Sequence, residues 1–160
     1  MLQKAGEYWW MLARIELAHR AEPTHAVETC EKILAEAQRN GDRVIAILAA
    51  TLTLQVHCRA GNSGSAELAG LALLAENLLA TCRSTLVYPP SVWLACFEIH
   101  VSCGRPDDAS RCLREALKWI RQTALPHLPI PFQDAFLHRH PVNLLVQSHA
   151  DRWADGALVN

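Results

Sequence analysis

A chain of 160 residues, 51% apolar and 19% charged, suits one domain able to bury a core without a metal or disulfide staple. Its formal net charge is −1 and no basic stripe stands out, so the electrostatic footprint of a nucleic-acid binder is missing. The most apolar run, Val44 to Val56, carries Thr51, Thr53 and Gln55 and falls short of the roughly 20 residues a membrane span needs. The opening residues lack the charged start, apolar stretch and cleavage site of a secretory signal, so a cytoplasmic setting is expected. The six cysteines form no Cys-x-x-Cys pair, and in a reducing compartment they read as small buried hydrophobes.

Few aromatics and abundant Ala and Leu favour an all-α chain of closely packed helices. A first helix is expected from about Gly6 to Arg20, with Tyr8, Leu12, Ile15 and His19 on one face. Glu22-Pro23-Thr24 breaks it, and a second runs to about Arg39 with Ala26, Cys30, Ile33 and Ala37 on one face. Asn40-Gly41-Asp42 ends that helix and offers Asp42 as cap for a third, about Arg43 to Ala60, which is apolar almost all round and so belongs in the middle of the domain. Gly61-Asn62-Ser63-Gly64-Ser65 is a turn; a fourth helix follows from about Ala66 to Arg83. Pro89-Pro90-Ser91 starts a fifth, ending at Cys103-Gly104, and Arg105-Pro106-Asp107-Asp108 opens a sixth that runs to about Thr123. Pro126, Pro129 and Pro131 predict an extended crossing segment there. A short helix from Gln133 and another from Val142 to about Arg152 close the chain, with the last residues frayed.

Three helix pairs, about 6–39, 43–83 and 90–123, line up on their turns, and 131–152 forms a cap. The alanines that open the second helix of each pair, Ala26, Ala66 and Ala109, are spaced by 40 and 43 residues. Sixteen residues before each stands Trp10, Ala50 or Trp93. Small residues of this kind mark the closest approach of paired helices, and a Trp fills the gap between pairs. With Trp93, Gly104, Asp107-Asp108-Ala109 and Ala116 in place, the chain resembles the tetratricopeptide repeat. That family has a Trp-like residue early in helix A, a Gly-x-x-Glu-Glu-Ala-like turn into helix B, and another Ala seven residues on. The pair with Trp10 and Ala26 fits in part and the pair with Ala50 and Ala66 poorly, and the unit is longer than the family's roughly 34 residues. The resemblance implies antiparallel hairpins stacked into a right-handed superhelix, whose concave face binds a protein or peptide.

Phe132-Gln133-Asp134-Ala135-Phe136-Leu137-His138-Arg139-His140-Pro141-Val142-Asn143 resembles a closing motif of large bacterial ATP-dependent transcriptional regulators, in which tetratricopeptide-like helices follow an AAA-type ATPase core. That string often runs Phe-Leu-His-Arg-Asn-Pro-Val-Asn-Arg; here His140 stands for its Asn and Leu144 for its Arg. The resemblance implies a sensor or interaction module of a signalling or transcription regulator. No Gly-x-x-x-x-Gly-Lys-Ser/Thr loop is present to bind nucleotide. A small tetratricopeptide-type chaperone cradling a hydrophobic client is the alternative.

Residues with reactive chemistry each have a structural account. Cys96, His100 and Cys103, at i, i+4 and i+7, could hold zinc with a fourth ligand such as Cys112, but Trp93 and Phe97 mark that stripe as core, and no metal or cofactor is expected. His138-Arg139-His140, with His127 and His149, reads as a corner whose Arg139 and one His cap exposed carbonyls, rather than a pH-sensitive or anion site. Asp107-Asp108 complements a helix start. Of the adjacent Trp9 and Trp10, one packs inside while the other faces a partner or a missing neighbour. No nucleophile constellation survives, so no enzyme is expected. The binding groove is expected to carry Trp9, Glu16, Arg20, Gln55, Arg59, Glu98 and His100 as its contact positions, with a protein or peptide partner and homo-oligomerisation both open.

Overall fold

The computed structural model describes residues 23–154 and Gly156; the expected first helix, with Trp9, Trp10, Glu16 and Arg20, lies outside the described residues. The described chain is helical and contains no strand. Its helices are α1 (Pro23–Arg39), α2 (Arg43–Arg59), α3 (Ala66–Ala80), α4 (Pro89–Ser102), α5 (Pro106–Lys118), α6 (Ile130–His138) and α7 (Pro141–Ala154).

One local device ends three of them. After α1, α2 and α4 a glycine takes positive φ (Gly41 69°, Gly61 73°, Gly104 65°), where a side chain would be strained. The next amide reaches back to a carbonyl five residues earlier: Asp42 to Ala37 at 2.8 Å, Asn62 to His57 at 3.1 Å and Arg105 to His100 at 2.8 Å. Each reversal lays the following helix against the one just finished. Asp42 then accepts from the Ile45 amide at 3.1 Å, and Ser65 from that of Leu68 at 3.2 Å, so α2 and α3 start capped.

α2 is central, packing against α1, α3 and α4. Its two buried hydroxyls turn back on their own helix, Thr51 to the Ile47 carbonyl at 2.7 Å and Thr53 to that of Ala49 at 2.9 Å. An all-apolar helix can therefore carry threonines inside without orphaned donors.

Burial follows two registers. α4 repeats the pattern of α2 at an offset of 43 residues: Ala49 and Val92, Leu54 and Phe97, Val56 and Ile99 are all buried. Along α1, α3 and α5, the buried positions 26/30/33/37, 68/72/75/79 and 109/113/116/120 are spaced by 42 and then 41 residues. Ala26, Ala109 and Ala116 sit at helix contacts, but Ala66 is exposed and Leu68 takes that place. The turn from Gly61 to Leu68 holds two more residues than the turn from Gly104 to Ala109, so matching the turns placed Ala66 two positions too early. Gly104 supplies a positive-φ turn and Trp93 is half-buried against the core.

Two further expectations are corrected. α3 stops at Ala80 rather than Arg83, where the Thr81 hydroxyl donates to the Leu78 carbonyl at 3.2 Å. The proline-rich stretch is not an extended crossing. α5 widens into a π turn over Trp119–Ala124, with the Leu125 amide reaching Ile120 O, and a 3-10 turn follows over Leu125–His127. The widened turn accommodates Pro126, which has no N–H and would clash with the carbonyl four residues back. Pro131 occupies the first turn of α6, where its missing donor costs nothing, so that helix begins at Ile130, ahead of Gln133.

Candidate functional site

α4 presents two unlike faces. Toward α2 and α7 it walls a groove of about 530 Å³, lined by Gln55, Cys58 and Arg59 from α2, Leu94, Phe97, Glu98 and Val101 from α4, and Val142, Leu145 and His149 from α7. A volume of this size falls in the range of binding pockets. Three expected groove residues, Gln55, Arg59 and Glu98, meet here. Gln55 and Glu98 hold equivalent positions, 43 residues apart, on their helices.

The groove is apolar with a poorly solvated acid in its wall. Burial raises the Glu98 carboxyl above its ordinary range, against the lowering influence of Cys58 and Arg59. The Cys58 thiol, hydrogen-bonded to Glu98, is pushed up to about 12, chiefly by burial. It is an inert neutral donor rather than a nucleophile. On the far wall the His149 ring sits 4.9 Å from Phe97 and has a buried Nδ1 without a partner. Burial, then Arg152, holds its pKa below the usual value.

His100 does not belong to this groove. It points to the opposite side of α4, fully buried, where Nε2–H donates to Glu76 Oε1 of α3 at 2.9 Å. Arg111 of α5 grips Glu76 Oε2 through Nε at 3.2 Å and Nη2 at 2.9 Å, and its Nη1 donates to Asp108. Asp108 in turn pairs with Arg105 at 2.6 Å. Burial pulls the Glu76 carboxyl up, but the bonds and charges of His100 and Arg111 outweigh it and hold the group below its ordinary value. Asp108 is thus more than a helix-start acid: it links the α5 N-terminus to this network.

The thiols of the i, i+4, i+7 stripe do not converge. Cys96 donates to the Ala72 carbonyl at 3.5 Å, and Cys103 to the Ser63 and Ser65 carbonyls at 3.4 and 3.3 Å. They tie α4 to α3 and to the turn before it. Glu76 and Arg111 were missed because they lie on different helices with no spacing that relates them. One signal was available: Glu76 is an acid on the same stripe as Ala72, Ala75 and Leu79.

At the C-terminal corner, amides do what Arg139 and a histidine were expected to do. Buried Asn143 donates to the Phe136 carbonyl at 2.8 Å and accepts from the Tyr88 hydroxyl at 2.6 Å, and Gln147 donates to the Leu137 carbonyl at 2.8 Å. His138 and Arg139 are exposed, while His140 lies 4.8 Å from the Tyr88 ring. A neutral amide supplies donor and acceptor together and can be buried more cheaply than a charge. The Phe-Leu-His-Arg-His-Pro-Val-Asn string is therefore a helix–helix corner, pinned by Asn143 to the residue that precedes α4.

No described helix is long and apolar enough to cross a membrane. Compared with protein-family models, curated proteins and solved structures, the chain matches none.

Proposed function

We propose that the chain is a tetratricopeptide-like binding module whose groove between α2, α4 and α7 takes an apolar peptide segment of a protein partner. The groove carries this reading. Leu94, Phe97, Val101, Val142 and Leu145 offer an apolar floor and walls, while Gln55, Arg59 and Glu98 supply polar positions along one side. Leu145 remains 49% exposed, a large apolar side chain on a groove wall, as expected of a contact awaiting a partner. Two burial registers with near-constant offsets support the helical-hairpin assignment. The buried role of Asn143 supports the second resemblance: the closing motif of the regulators would here be a structural corner, and the module their sensor or interaction part. The reactive groups on either face of α4 are tied to neighbours or inert, which favours binding over catalysis.

The experiment is peptide phage display against the purified chain. Enriched sequences should carry two or three apolar residues at helical or alternating spacing, and Leu145→Arg should abolish their binding without altering the circular dichroism spectrum. Enrichment no better than with an unrelated helical protein, or binding indifferent to Leu145→Arg, sinks the proposal.

A further inference from the structure

Behind α4, the ion network adjoins a buried thiol, that of Cys112, which lies beside Glu76. Cys112 is fully buried on α5, and burial, reinforced by the charge of Glu76, raises its pKa far above an ordinary thiol's. One carboxylate oxygen of Glu76, one ring nitrogen of His100 and the sulfur of Cys112 lie within 4.8 Å of one another. They come from α3, α4 and α5, three rigid helices, so the cluster is set by the core rather than by a loop.

We propose that Glu76, His100 and Cys112 form a binding site for one soft divalent metal ion, represented by Zn2+. Ligands at about 2.0–2.3 Å from a tetrahedral zinc stand about 3.5 Å apart, so the observed spacing closes by small side-chain rotations. The His100–Glu76 contact, 2.9 Å, needs to open only slightly to admit the ion in place of the hydrogen between them. Arg111 holds Glu76 Oε2, while Oε1, now the acceptor of the His100 Nε2–H, is the oxygen turned toward the ion's place, which makes Arg111 the outer partner that fixes the carboxylate's orientation. The buried Nδ1 of His100 has no protein partner, so it is the ring position open to take the hydrogen when Nε2 is given to the ion.

The protons and charges can be followed. The Cys112 thiol releases its proton to solvent, and the imidazole hydrogen moves from Nε2 to Nδ1 so that the ring coordinates as neutral imidazole. The ion brings two positive charges and the new thiolate cancels one. Asp108, on the far side of Arg111, offsets part of the remainder. Thiolate and imidazole select zinc-like ions over Mg2+ or Ca2+. Because a proton is released, affinity rises with pH.

The site is independent of the groove, and so is its test. Chelator-stripped protein is titrated with Co2+ as an optical probe of thiolate coordination. One equivalent should give a thiolate-to-cobalt charge-transfer band in the near ultraviolet, displaced by Zn2+. Cys112→Ser should weaken binding by more than about tenfold, the scale of losing a ligand or its support, while Cys58→Ser and Cys82→Ser leave it intact. Absence of the band, or a band unchanged in Cys112→Ser, overturns the site. Should Cys112→Ser not fold, alkylation of the wild-type chain decides. Zn2+ should slow labelling of Cys112 about tenfold or more, and labelling of Cys112 at equal rates with and without the ion overturns the proposal.

Discussion

Glu76 and Glu98 stand on opposite sides of α4, both half-buried, and their environments drive them in opposite directions. Glu76 receives a ring N–H and two guanidinium N–H groups, enough to hold its charge stable inside the protein. Glu98 has a thiol and the field of Arg59, and burial wins. Where a carboxylate meets strong charged donors the chain gains structure. Where it meets weak ones, burial prevails and the charged form is disfavoured. The same helix therefore has a locked side, where its neighbouring acid is held charged, and a groove side, where burial disfavours the charge.

The largest effect should come from the buried ring under the groove. Phe97 is buried at the floor of the groove and contacts His149 and Trp153 of α7 by its ring. Phe97→Ala should cost about 3–5 kcal/mol in urea unfolding, and a loss under 1 kcal/mol would mean that α7 is not held as described. Next is the locked side. Glu76→Gln should cost about 2–3 kcal/mol, since it leaves Arg111 and His100 with a weakened partner at a site partly open to water. Its pH signature has a definite sign. Folding favours the ionised form, so the stabilisation is complete above the free value of 4.5 and drains away as pH falls below it. The variant's stability should accordingly be flatter through that acid range.

Asn143→Ala comes third, at about 1–2 kcal/mol for the lost bonds to Phe136 and Tyr88, read most clearly as earlier proteolysis of the α6–α7 corner. Glu98→Gln is the smallest and opposite in direction. Folding favours its protonated form, so the stability it contributes is present below 4.5 and lost as pH rises through the elevated folded value. At neutral pH the substitution should leave stability unchanged or raise it by less than about 1 kcal/mol, discounted for solvent on the exposed edge. A clear loss on Glu98→Gln would erase the contrast with Glu76.

Much of the helical layout was legible because it is local. Gly41, Gly61 and Gly104 announce where helices end, Asp42 and Ser65 where they begin, and the unbroken apolar run of α2 fixes it at the centre. The middle register was not legible from turns, because an alignment on Gly61 and Gly104 carries the two-residue difference in turn length straight onto Ala66. The proline stretch misled for a related reason: proline forbids a helix interior but welcomes a first turn, and Pro131 sits in one. Of the expected groove residues in the described region, Gln55, Arg59 and Glu98 came together because they lie on corresponding faces of α2 and α4. His100, two residues on from Glu98, turns about 200° away on an ideal helix, and its partners on α3 and α5 follow from packing alone.

The turn after α2 also fastens one end of the groove. Ser63 donates to Ser102 at 2.8 Å, a side chain on Gly64 would press within 3.3 Å of the Ser102 carbonyl, and Cys103 bonds to the same segment. That end of the cleft is clasped shut. The C-terminal wall is joined to the floor differently: α7 meets Phe97 through the rings of His149 and Trp153, at 4.9 and 5.6 Å, so polar bonds fasten one end of the cleft and ring contacts the other.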